Sequence, residues 1–423
     1  MSKKVLLVSY EIGLGYKRGI YYYTQSLVKA IKLENKIGLL TQAYNYNSAE
    51  IIESIDNPSI YFREKYKRNK LWLNYIKYVL NINNSFKKMV DFGSSEEVFG
   101  FDYFINKPAF YRYNNIYMKM PGMGLQSIDN KFLGQDDIII TSSPVSISSK
   151  KNKVIQTLHD VFPMINEAYY QNTFHRKLHG LTVADKIMAM SEYARDTFLN
   201  FHPHLADRVE VVYQAIAMDS QLIEKCKNTF INKEILSKFN LKEKKYMFFV
   251  GAIEYRKNIH SIIKAFKIAT LKNQELKLVI AGRADDNKYL NDFDLLKYML
   301  DSKDVQIKFI GEITDIEKVC LIQNSKAFLF PSLLEGFGIP VVEAQTLGVP
   351  VLTANNSALT EVGADSTLMV NDAEDIEELI EGIVKLWEDD EYCSHLISKG
   401  FDNAKRFSFE NFSNDVNTII KSI

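Results

Sequence analysis

The chain has 423 residues, 46% of them hydrophobic and 25% charged, and its 52 basic side chains balance 52 acidic ones. That length allows two cores of about 200 residues each, and the neutral balance gives no footprint of a nucleic-acid partner. Three cysteines, Cys226, Cys320 and Cys393, share no metal-ligand spacing, which argues against a disulfide framework or structural zinc and fits a reducing cytosol. Val5 to Val8 is too short for a signal h-region and no apolar run approaches about 18 residues, so a cytoplasmic location without a spanning helix is expected.

In chain order, Lys4 to Ser9 reads as a buried parallel strand, followed by a turn at Gly13, Gly15 and Gly19 and a helix through Thr24 to Ile31. Residues 1–215 hold 27 basic against 20 acidic side chains, and much of the excess lies in Tyr61 to Val90, where eight basic residues oppose Glu64 alone. Within it Trp72, Tyr75, Ile76 and Val79 share one helical face, and Lys70, Asn74, Lys77 and Asn81 another. Such a helix either lies on an anionic membrane or packs its apolar face on the N-terminal core. Residues 45–134 alternate poorly and suggest no threading. Strand-like runs at Asp137 to Thr141, Val154 to Leu158, Lys186 to Met190 and Val209 to Tyr213 then alternate with helical patterns, as a doubly wound α/β domain requires. His159 and Asp160 close the second of these runs, at an edge where ligands bind, and Ser191 follows the third as a helix N-cap.

A polar stretch from Met218 to about Asn240 reads as a linker. Beyond it a second alternating series begins: Tyr246 to Gly251, Leu276 to Gly282, Val305 to Gly311, Ala327 to Pro331, Val349 to Thr353 and Thr367 to Val370. Arg256 and Lys257 follow the first of these strands at the start of the next helix. A helix N-terminus already carries about half a positive charge, so cations there imply a bound anion. After the fourth strand comes Pro331-Ser-Leu-Leu-Glu335-Gly336-Phe337-Gly338-Ile339-Pro340-Val-Val-Glu343, two carboxylates with seven residues between them around a Gly-rich turn that opens a helix. Gly336 and Gly338 let backbone approach a ligand, and an ionised carboxylate suits the vicinal hydroxyls of a sugar or ribose. The aspartates at 285–286, 292, 294 and 389–390 read as polar surface, with no metal site.

This stretch, with Phe249-Val-Gly-Ala-Ile-Glu-Tyr-Arg256-Lys257-Asn258 upstream and Gly348-Val-Pro350-Val and Ala358-Leu-Thr-Glu361-Val downstream, resembles the E-x7-E signature of the retaining family-4 (group 1) glycosyltransferases. The resemblance covers the chain from about Tyr246 to its end and is patchier before Ile155. It implies an α/β fold of the GT-B type, two Rossmann-like doubly wound parallel-sheet domains facing across a cleft. Residues 1–218 would form the acceptor-side domain and 219–407 the nucleotide-sugar domain, with a last helix in 408–423 crossing back onto the first. It assigns Arg256 and Lys257 to the diphosphate, Glu335 and His159 to the transferring sugar, and Glu343 to the ribose. Gly336, Phe337, Gly338 and Ile339 would add backbone contacts, and Ile313, in Gly311-Glu312-Ile313, would help hold the base. In the N-terminal loop Gly19 is present, but Tyr21 stands where the family commonly has a second glycine, which weakens that loop as a diphosphate contact.

The resemblance implies a hexosyltransferase that needs no metal or other cofactor. It would move mannose, glucose or N-acetylglucosamine from a GDP- or UDP-linked donor to a glycan or lipid-linked glycan in bacterial O-antigen or capsule synthesis, with retention of configuration. It would work in the cytoplasm, peripherally at the anionic inner membrane face. Rival readings are a nucleotide-sugar epimerase, a phosphorylase, and a non-catalytic nucleotide-sugar-binding partner of an active transferase.

Overall fold

The computed structural model describes residues 3–14, 19–42, 88–91, 100–107, 110–111, 114, 125–159, 161–165, 178–216, 218, 220–283 and 306–423. Most of the basic stretch Tyr61 to Val90, Gly15, Asp160 and the aspartates at 285–286, 292 and 294 lie outside the described residues; Lys88, Met89 and Val90 lie in a strand, not a helix. The chain divides into two compact units, Met1–Ala217 with Phe409–Ile423, and Met218–Ser408.

The first unit is built from strands β1 (Lys4–Val8), β2 (Lys36–Thr41), β3 (Lys88–Asp91), β4 (Tyr103–Asn106), β5 (Gln126–Ser127), β6 (Ile138–Thr141), β7 (Ile147–Ser148), β8 (Lys153–Leu158), β9 (Lys186–Ala189) and β10 (Val209–Val211). Eight of them form one sheet in the order β10-β9-β8-β6-β1-β2-β4-β3, parallel except for β3 against β4, while β5 and β7 pair separately. Val5, Leu6, Leu7 and Val8 are all fully buried, as a central parallel strand covered on both faces demands. Chain reversal after β1 takes place on the β2 side and after β6 on the β8 side, so the switch point of this sheet lies between β1 and β6.

Two helices follow β1. Tyr10–Leu14 is a short helix where the glycines suggest only a turn, and Gly19–Lys32 starts earlier than the apolar spacing indicates. The C-terminal helix Phe409–Lys421 packs on Gly19–Lys32: Phe412 meets the Tyr23 ring edge-on at 5.7 Å, and buried Asn417 donates through Nδ2 to the Ala30 carbonyl at 2.9 Å. Burying Phe412 contributes about 1.5–3 kcal/mol, and the bond satisfies an amide that would otherwise be costly to bury.

The second unit holds β11 (Met247–Val250), β12 (Leu278–Ala281), β13 (Ile307–Gly311), β14 (Ala327–Phe330), β15 (Val351–Ala354) and β16 (Leu368–Val370), all parallel, in the order β13-β12-β11-β14-β15-β16. Renumbered within the unit this is 3-2-1-4-5-6, the doubly wound order whose ligand crevice opens where the strand order reverses, between β11 and β14. The polar stretch read as a linker is instead two helices, Ser220–Cys226 and Thr229–Lys238, in the second unit. Both pack on helix Asp315–Gln323 and bury Cys226, Ile235 and Leu236, so a largely polar sequence still forms packed structure. Among the described residues, no helix is long and apolar enough to cross a membrane.

Candidate active site

The turn after β11 carries the two cations. Tyr255–Lys257 forms one turn of 3-10 helix, Asn258 adopts a left-handed conformation with φ 58°, and the following helix begins only at Ile259. Asparagine tolerates that conformation. Its buried Nδ2 donates to the Pro331 carbonyl at 3.0 Å and also to that of Ala373, while the Leu333 N–H donates to the Arg256 carbonyl at 2.8 Å. The turns after β11, β14 and β16 are thus stitched together at the switch point.

That stitching brings Arg256, Lys257 and Glu335 into one cluster. Lys257 Nζ lies 2.5 Å from Glu335 Oε1 and 4.7 Å from the centroid of the Phe330 ring; Arg256 reaches Glu335 Oε2 at 3.1 Å and Glu254 Oε2 at 2.9 Å. Lys257 and Glu335 are buried, at 8% and 7% exposure. Burial pushes the Glu335 carboxyl up, but Lys257 and then Arg256 outweigh it and hold the group below its ordinary value. Both cations precede the helix instead of opening it, and two carboxylates, Glu335 and Glu254, already face them, so their position does not by itself imply a bound anion.

After β14 the chain turns through Glu335, Gly336, Phe337 and Gly338 into helix Ile339–Thr346. Gly338 sits at φ 107°, and a β-carbon there would come 2.8 Å from Leu359 Cδ2, so the turn needs glycine twice over. The Glu335 N–H donates to Ser357 Oγ at 3.1 Å, and Phe337 packs edge-on against Phe407 at 5.4 Å. These contacts fix the loop from behind.

Glu343 projects from that helix, 6% exposed, and accepts from Lys318 Nζ at 2.6 Å. Lys318 belongs to helix Asp315–Gln323, which follows β13 and is closed by a capping box between Thr314 and Glu317. Ile313 lies one residue before that cap and is partly exposed. Lys318 is a site residue that the sequence reading missed, because a lysine inside an ordinary helix signals nothing until the sheet order is known.

In the first unit, buried His159 ends β8. Its Nε2 lies 2.6 Å from the Ser142 carbonyl, and its ring packs edge-on against Tyr23 at 4.7 Å. Burial above all holds the imidazole below its ordinary pKa, against the Ser142 bond and the charge of Glu11. A carbonyl only accepts, so Nε2 carries the hydrogen and Nδ1 of the neutral ring is an acceptor. Gly19 opens helix Gly19–Lys32, and a β-carbon there would meet nothing within 4 Å. Ser191 is an N-cap, accepting from the Ala194 N–H at 3.0 Å. Asp389 likewise caps a helix, and exposed Asp390 pairs with Lys326.

With this geometry in view, the comparisons with known proteins fall into place. Residues 232–402 match the family model for glycosyl transferases group 1. The chain is 26% identical over 270 residues to the O-antigen chain mannosyltransferase B of Escherichia coli, covering 61% of this chain and 68% of that protein. It is also 26% identical over 289 residues to the serotype-specific mannosyltransferase WbdA of Escherichia coli, covering 66% of this chain but 34% of that longer protein. The solved structure of Anabaena Alr3699/HepE in complex with UDP-glucose superposes with a TM-score of 0.63 at 15% identity, covering 99% of this chain and all of that one. The fold is GT-B, and the match to glycosyl transferases group 1 falls within the second unit.

Proposed function

We propose that this glycosyltransferase moves a hexose, mannose first, from a nucleotide-diphosphate donor to an acceptor hydroxyl with retention of anomeric configuration. The observation that carries the reading is the Arg256–Lys257–Glu335 cluster at the switch point of a 3-2-1-4-5-6 sheet. A diphosphate entering there shares the two cations with Glu335, next to the backbone of Gly336, Phe337, Gly338 and Ile339 at a helix start. Negative charge builds on the leaving diphosphate as the glycosidic bond breaks. Cations held rigidly beside it stabilise that state more than the ground state. The two basic side chains supply the charge for which other enzymes use a metal. Glu343, oriented by Lys318, takes the ribose hydroxyls, and the base lies against Gly311 to Ile313.

The mannosyltransferase relatives favour mannose as the transferred sugar, which puts GDP-mannose first in a donor screen, while the UDP-glucose complex of the structural relative keeps UDP donors in it. The O-antigen relative suggests a polysaccharide chain as acceptor, and a lipid-linked glycan at the inner membrane face is our proposal for its form. Transfer assays with GDP-mannose, UDP-glucose and UDP-N-acetylglucosamine on glycoside acceptors test the reading. Product of α configuration from one donor, lost in Lys257→Ala, is expected; activity undiminished in that variant contradicts it.

A further inference from the structure

The switch point of the first unit holds a carboxylate with no part in the donor site. Glu11 lies just after β1, and its Oε2 accepts from Ser9 Oγ at 3.2 Å and from Ser142 Oγ at 3.3 Å. Ser9 follows β1 and Ser142 follows β6, so Glu11 bridges the place where the strand order reverses. Ser142 also accepts from His159 through its carbonyl, which joins the imidazole to the same group. Glu11 is partly exposed, whereas Ser9, Ser142 and His159 are buried.

The chemistry of this crevice differs from a phosphate site. Among the described residues no cation pairs with Glu11, and its negative charge repels a phosphate. Its Oε1 is an acceptor, which a neutral polyol satisfies by donating a hydroxyl hydrogen. An ionised carboxylate strengthens such bonds relative to a neutral acceptor. Resting on the transferase reading above, we propose that Glu11 binds the acceptor sugar, its Oε1 accepting a hydrogen bond from a hydroxyl of the glycan to be extended.

The test uses the full chain and p-nitrophenyl α-D-mannopyranoside, p-nitrophenyl α-D-glucopyranoside and p-nitrophenyl N-acetyl-α-D-glucosaminide as acceptor probes, titrated by calorimetry in the presence of saturating GDP or UDP. Wild type is expected to bind at least one probe, and Glu11→Gln and Glu11→Ala to bind it about tenfold or more weakly. Glu11→Asp, which keeps the charge, is expected to restore part of the affinity. Nucleotide-induced rises in melting temperature should stay at the wild-type value in all three variants. Equal probe affinity in wild type and Glu11→Gln, or no probe bound by wild type, overturns the proposal. So does a Glu11→Gln variant that loses nucleotide binding together with the probe. Failure of every nucleotide to raise the wild-type melting temperature counts instead against the transferase reading.

Discussion

At the switch point of the second unit a buried carboxylate meets two cations, Lys257 at 2.5 Å and Arg256 at 3.1 Å; at that of the first, a partly exposed carboxylate meets serine hydroxyls at 3.2 and 3.3 Å. Both sheets place an acid at the carboxyl end of a parallel strand beside the reversal of strand order. The surrounding charges then decide what each crevice can take. Where two cations hold a buried carboxylate, an anion can share them. Where, among the described residues, a carboxylate meets serine hydroxyls and no cation, it favours neutral hydrogen-bond donors. Fold supplies the two positions, and side chains a few residues beyond the strands supply the difference.

The comparison breaks most visibly at Lys257. Replacing it by alanine should lower kcat/KM by about 100-fold or more and cost about 3–5 kcal/mol of stability, since Glu335 keeps only Arg256 in a buried setting. Steady-state kinetics and urea unfolding measure the two losses separately.

Next in size is Glu335→Gln. The folded carboxyl titrates below its ordinary 4.5, so its contribution to stability is present above that value and disappears as pH falls through the folded one. Melting temperatures of wild type and variant should differ most near neutrality and converge on acidification below about 4.5. A constant gap across that window would mean that the ion pairs contribute nothing.

Lys318→Met keeps the stem of the side chain and removes the charge beside Glu343. Donor KM should rise about tenfold with kcat little changed, the signature of lost ground-state positioning. At the small end stands Gly19→Ala. With open space around the added carbon, it should change stability by about 0.5 kcal/mol or less and leave transfer at the wild-type rate, in contrast to Gly338→Ala, which meets Leu359 and an unfavourable φ.

Much of the second unit was legible because its parallel strands are short apolar runs, four of them closed by glycine or proline, and all six appear within a few residues of where the runs place them. The first unit hid more. Strand β2, Lys-Ile-Gly-Leu-Leu-Thr, follows its helix after a short turn and is not among the strand-like runs read from the sequence, and the strands at 88–91 and 103–106 lie in a region whose pattern does not alternate. In the site, Glu335, Glu343, Arg256 and Lys257 stood out by their spacing along the chain. Their partners did not. Glu254 looked like a turn residue, Lys318 like one of many helical lysines, and Glu11 like an acid after a strand, because each acquires meaning only from the order of strands in its sheet. Arg256 and Lys257, expected from the sequence to face a helix dipole, both face the one carboxylate of Glu335, 79 and 78 residues further along the chain.

The central claim is that a nucleoside diphosphate seats its phosphates on the Arg256–Lys257 turn, and calorimetric titration of GDP and guanosine, and of UDP and uridine, onto wild type and Lys257→Met tests it directly. In wild type the diphosphate should tighten binding of the matching nucleoside by about 100-fold, and Lys257→Met should remove most of that increment while leaving nucleoside affinity unchanged. An increment that survives intact in the variant would contradict the account.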